Sequence, residues 1–128
     1  MGTRINQVEE ETRADAMRIA GEYLQHRGCT VDQNDESDAH DLVARDEGTI
    51  VLVSVFAERS ASRELPMPQL DLDRQALETM RRDALRYAAD HADAHGVRTD
   101  AISIVLNETA QVAKLRHLVG TFSWEEEE

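Results

Sequence analysis

The sequence predicts a mixed α/β fold, a central β-sheet flanked by helices in the order α-β-β-β-α-β-β, and three observations carry that expectation. The run TIVLVSVF, from Thr49 to Phe56, is rich in β-branched residues and apolar on both faces, the pattern of a strand buried in the middle of a sheet. Helical spacing of apolar residues flanks it on both sides in the chain. A second β-rich run, DAISIVL from Asp100 to Leu106, follows the later helix, and a strand-helix-strand succession implies a right-handed parallel crossover. The sheet should therefore combine an antiparallel hairpin with a parallel addition.

The first helix is expected from Thr12 to His26. Thr12 and Asp15 have the spacing of a capping box, Met17, Ala20, Gly21 and Leu24 recur at helical intervals, and Gly28 supplies the stop. Thr30 and Val31 start an extended segment that runs into an acidic stretch. Asp41 to Ala44 forms the next extended segment, and the turn Asp46-Glu47-Gly48 joins it to the central strand as a hairpin. Pro66 and Pro68 punctuate a loop of about 14 residues ending at Leu70, a length that is often functional. Asp71 or Asp73 can cap a second helix whose stripe is Ala76, Met80, Ala84, Tyr87, Ala88 and His91, ending near Gly96. Ala110 to Val119 is expected as a final edge strand before Phe122 and Trp124.

With 128 residues, the chain can bury one core but not two. We expect an N-terminal arm over 1–11, a single domain over 12–122 and an acidic tail over 123–128. Basic residues number 14 and acidic ones 26, a formal charge of -12 that repels phosphate at long range. Nucleic acid is thus a disfavoured partner. No apolar run is long enough to cross a bilayer and the N-terminus lacks an apolar export region, so no membrane association and a cytoplasmic location are expected. Cys29 is the one cysteine, read as a reduced, buried thiol. The acids from Asp32 to Asp41 contain no glycine, unlike a calcium-binding loop, and read as a solvated loop; Glu125 to Glu128 read as a solvated tail.

The element order, read with Gly28, AspLeuValAla at 41 to 44, the apolar strand at 50 to 56, ArgThrAsp at 98 to 100 and HisLeu followed by Phe122, resembles the YraN-like family of endonuclease-related proteins over about residues 13 to 122. That resemblance implies a restriction-endonuclease-like fold whose nuclease site is a PD-(D/E)xK pattern on the hairpin. The family hairpin reads roughly GEIDLIA, a turn, then FVEVKxR, and here the corresponding stretches are DAHDLVA at 38 to 44 and LVSVFAE at 52 to 58. Asp41 takes the place of the metal-binding aspartate. Ser54 stands where the family has its glutamate and Phe56 where it has its lysine, while Met17 and Ala39 fall at two further carboxylate positions. The motif is therefore degenerate.

Phosphodiester cleavage needs a divalent cation held by converging carboxylates, and one aspartate holds magnesium poorly. A phenylalanine can neither donate a hydrogen bond nor carry charge in the lysine's place. The expected function is an interaction or regulatory module without cleavage activity, needing no cofactor, its partner an unidentified protein or a second copy of itself. Two other readings stay open. One is nucleic-acid binding without cleavage, through Arg81, Arg82 and Arg86. The other is a metal-dependent endonuclease with a rearranged site, in which Asp41 and Glu58 hold magnesium or manganese, since Ser54, Phe56 and Glu58 share a strand face. His91 and His95, at i and i+4, have zinc-ligand spacing but no evident third ligand and read as the exposed end of a helix; His40 and His117 do not read as catalytic bases.

Overall fold

The computed structural model describes residues 2–32 and 40–125. Strands β1 (Thr3–Arg4), β2 (Thr30–Asp32), β3 (Leu42–Asp46), β4 (Thr49–Arg59), β5 (Gly96–Leu106) and β6 (Ala113–Glu125) and helices α1 (Glu10–His26) and α2 (Arg74–Asp90) make up the fold. One six-stranded sheet runs β2-β3-β4-β5-β6, with β1 added beside β4. Among the described residues only the β4 and β5 pairing is parallel; the others are antiparallel. The mixed α/β class and the parallel crossover through α2 are as the sequence predicts.

Alternation along β4 explains why it is apolar on both sides. Val51, Val53, Val55 and Ala57 join Ala16, Ala20 and Leu24 of α1 in one core cluster, whereas Ile50 and Leu52 join Ala84 in a second cluster with Val43 and Val97. Each helix thus covers one face. At about 25 cal/mol per Å² of apolar area removed from water, burial of such strand residues is the main favourable term of the fold. The hairpin between β3 and β4 turns at Glu47 and Gly48, both with positive φ (50° and 90°), the backbone of a type I′ connection.

Several boundaries differ from the sequence expectation. Helix α1 begins at Glu10 behind Glu9, and Thr12 is no cap: it is buried, and its hydroxyl accepts a hydrogen bond from Arg59 Nε at 2.7 Å. Asp15, its supposed capping partner, instead takes Arg59 Nη2 at 2.6 Å. Helix α2 is capped by Asp73, whose carboxylate accepts from Ala76 N at 2.8 Å, but it ends at Asp90 because His91 leaves helical geometry (φ -128°, ψ 73°). Gly96 opens β5 instead of closing the helix. His91 and His95 therefore do not share a helical face, and His91 stacks on Tyr87 at 3.8 Å. The last strand runs from Ala113 to Glu125, past the expected end at Val119, taking in Ser123 and Trp124.

Residues near the N-terminus contribute a strand that the sequence pattern did not reveal. Thr3 and Arg4 pair with Ala57 and Phe56, and Ile5, fully buried, joins the α1-side core. Among the described residues no helix is long and apolar enough to cross a membrane. Asp35, Glu36, Asp38, Ala39 and Glu126 to Glu128 lie outside the described residues.

Candidate functional site

Strand β4 has two edges. Strand β5 pairs along one of them from Thr49 to Arg59, while on the other β3 pairs only as far as Val53 and β1 resumes at Phe56. The interval would leave the Val55 amide without a strand partner, a cost comparable to a lost hydrogen bond. Asp41 fills it. Its Oδ2 accepts the Val55 N–H at 2.7 Å, its own N–H bonds Val53 O at 2.8 Å, and its Oδ1 receives Arg4 Nη2 at 3.3 Å. Asp41 is only 3% exposed. Burial raises its carboxyl above the usual aspartate value, opposed by the Val55 hydrogen bond and by the charge of Arg4.

Arg4 also lies over the Phe56 ring, 5.8 Å from its centroid. One guanidinium thus spans two positions singled out in the sequence, Asp41 and Phe56, and no local pattern in the N-terminal residues announced it. Ser54 is buried and Phe56 half-buried on the face toward α2. Glu58 shares their face, but lies three residues, about 10 Å, farther along β4 than Val55. His40, next to Asp41, turns to α2, where its Nδ1 bonds Asp83 at 2.7 Å. A cleft of about 570 Å³ opens beside Arg4 and Phe56, bounded by Asn6, Gln7 and the first turns of α2.

A second polar centre lies on the opposite face of the sheet. Asp100, fully buried, accepts from Arg98 Nε at 2.9 Å and Nη2 at 3.2 Å, from Gly120 N at 2.9 Å and from His117 Nε2 at 2.8 Å. The other ring nitrogen of His117 takes the Tyr23 hydroxyl at 2.9 Å. With Nε2–H donated to the carboxylate, Nδ1 accepts from the Tyr23 hydroxyl when the ring is neutral and donates to it when the ring is protonated. Burial alone would raise the Asp100 carboxyl, but the hydrogen bonds from His117, Arg98 and Gly120 outweigh it and hold the group below the ordinary value. Arg98 also reaches Asp46 at 3.5 Å, so ion pairs support this end of the strand. His117 belongs to this support. Asp100 itself sits at a register shift between β5 and β6, at Thr99 to Ala101, which spacing in sequence could not reveal. Cys29 is half-buried, and burial raises its thiol further above the ordinary value.

No family model matches the chain. Its sequence is 36% identical over 108 residues to a UPF0102 protein of Beutenbergia cavernae, a match covering 80% of this chain and 88% of that relative. The chain therefore belongs to the UPF0102 family, which is the YraN family of endonuclease-like proteins.

Proposed function

We propose that this protein is a restriction-endonuclease-like domain that has lost cleavage and serves as an interaction or regulatory module. The observation that carries the reading is the pairing of Asp41 with Arg4 and Val55. In the family's nuclease pattern this aspartate would be a ligand of a divalent cation; here one oxygen is taken by a backbone amide and the other by a guanidinium. The remaining donors do not fit magnesium or manganese either. Ser54 and Phe56 supply no carboxylate and no ammonium, Glu58 stands about 10 Å farther along β4 than the Val55 amide that Asp41 holds, and among the described residues no group of three or more His, Cys, Asp and Glu side chains could hold a metal. Among the described residues, a cation entering beside Asp41 would have to displace Arg4 and desolvate for a single carboxylate.

Calorimetric titration with manganese tests this reading. The expected result is the same featureless heat for the wild-type protein and Asp41→Ala. Saturable micromolar binding that disappears in Asp41→Ala would overturn it and favour a rearranged metal site.

A further inference from the structure

Two clefts adjoin along the first turns of α2 and share Gln75 and Thr79. The first, of about 570 Å³, combines the half-buried Phe56 ring and the Arg4 guanidinium held over it with the side-chain amides of Asn6, Gln7 and Gln75. The second, of about 540 Å³, is flanked by Arg74 and Arg82. Glu78, which also lines it, is engaged by Arg81 at 3.4 Å. The two halves ask for different chemistry. An aromatic and a guanidinium plane suit a flat heterocycle, and amides, each offering donors and an acceptor, suit the mixed donor and acceptor edge of a nucleobase. Two exposed arginines suit a phosphate, which guanidinium groups bind with bidentate geometry.

From this juxtaposition we infer that the paired clefts bind a nucleoside monophosphate, the base beside Phe56 and the phosphate between Arg74 and Arg82. The inference rests on reading the domain as non-cleaving, so that the ligand is held and not processed. The polarity follows from Asp73, whose carboxylate lines the first cleft and repels a phosphate there while accepting the Ala76 N–H. Overall charge favours a small ligand over a polymer. A chain of formal charge -12 repels every phosphate of a long nucleic acid, whereas a monophosphate presents about two negative charges directly to two arginines. Either a free nucleotide or the 5′ end of a strand would present this chemistry.

The test is amide chemical-shift titration of the full chain with the four nucleoside monophosphates, their nucleosides, ribose 5-phosphate and a 5′-phosphorylated dinucleotide. At least one nucleotide should shift Asn6, Gln75 and Thr79 saturably, and its affinity should fall at least about tenfold in the surface variant Arg74→Gln/Arg82→Gln and on removal of the phosphate. Phe56→Leu should weaken nucleotides but not ribose 5-phosphate. A dinucleotide that binds more tightly than the monomer through the same side chains supports the inference with a strand end as source, and equal binding supports it with a free nucleotide. Absence of saturable shifts at about 5 mM nucleotide overturns it, as does ribose 5-phosphate binding as well as any nucleotide. A nuclease assay on the same sample separates the two readings: no binding and no cleavage removes the nucleotide site alone, whereas Asp41-dependent cleavage removes the non-cleaving reading whatever binds.

Discussion

Arg4 and Asp41 are 37 residues apart in sequence, yet the Arg4 guanidinium lies 3.3 Å from the Asp41 carboxylate, in the gap that β3 and β1 leave along the edge of β4. The pair ties the first strand to the hairpin. Arg4→Ala should leave a buried carboxylate with one hydrogen bond from Val55 and strip the cation from the Phe56 ring. We expect a loss of roughly 1–3 kcal/mol in urea unfolding, with Arg4→Lys recovering only part of it. No loss in Arg4→Ala would mean that the pair is a surface contact of no energetic weight.

Asp41 and Asp100 should give stability opposite pH dependences. The folded carboxyl of Asp100 lies below its unfolded value, so its contribution is present above the ordinary carboxylate range and is lost as pH falls through the depressed folded value. The folded carboxyl of Asp41 lies above its unfolded value, so its contribution is present at acid pH and is lost as pH rises through the raised folded value. Unfolding free energy measured between about pH 3 and pH 7 should therefore flatten at its acid end in Asp100→Asn. In Asp41→Asn it should instead lose the decline that accompanies rising pH. Like-signed changes in the two variants would contradict the opposed environments.

The chain of Asp100, His117 and Tyr23 fastens α1 to β5 and β6. Tyr23→Phe removes one hydrogen bond and should cost about 1 kcal/mol, while His117→Ala removes two and leaves Asp100 short of a donor, at about 2–3 kcal/mol. The double variant should cost less than the sum, because both changes delete the same contact. Strict additivity in a double-mutant cycle would show that the two side chains are not coupled.

The β3 and β4 turn offers a stabilising change. Glu47 holds φ 50°, in the left-handed region, where Asn is better tolerated and Asn-Gly is a favoured type I′ pair. Glu47→Asn should raise the unfolding midpoint, worth about 0.5 kcal/mol, and Gly48→Ala, at φ 90°, should lower it by about 1–2 kcal/mol. Thermal unfolding of the two variants checks the sign of both.

Period and composition made the sheet and helices legible. TIVLVSVF has the pattern of a strand buried on two sides, and Met80, Ala84 and Tyr87 recur at helical spacing and are buried or half-buried along α2. What stayed illegible depended on partners brought close by the fold. Thr12 and Asp15 had the spacing of a capping box, but Arg59 claims both, and nothing local to either segment signals that contact. Thr3 and Arg4 are too short a strand to carry a period, so the residue that neutralises Asp41 could not be found from pattern. That Ser54 and Phe56 bring no carboxylate and no ammonium to β4, in contrast, is readable from the sequence itself.

The most direct measurement of the central claim is cleavage. Purified protein should be incubated with single-stranded, duplex and branched DNA in magnesium or manganese, beside Asp41→Ala prepared in the same way. The non-cleaving reading predicts that wild type and variant leave every substrate intact to the same extent; robust metal-dependent cleavage by the wild type, abolished in Asp41→Ala, would contradict it.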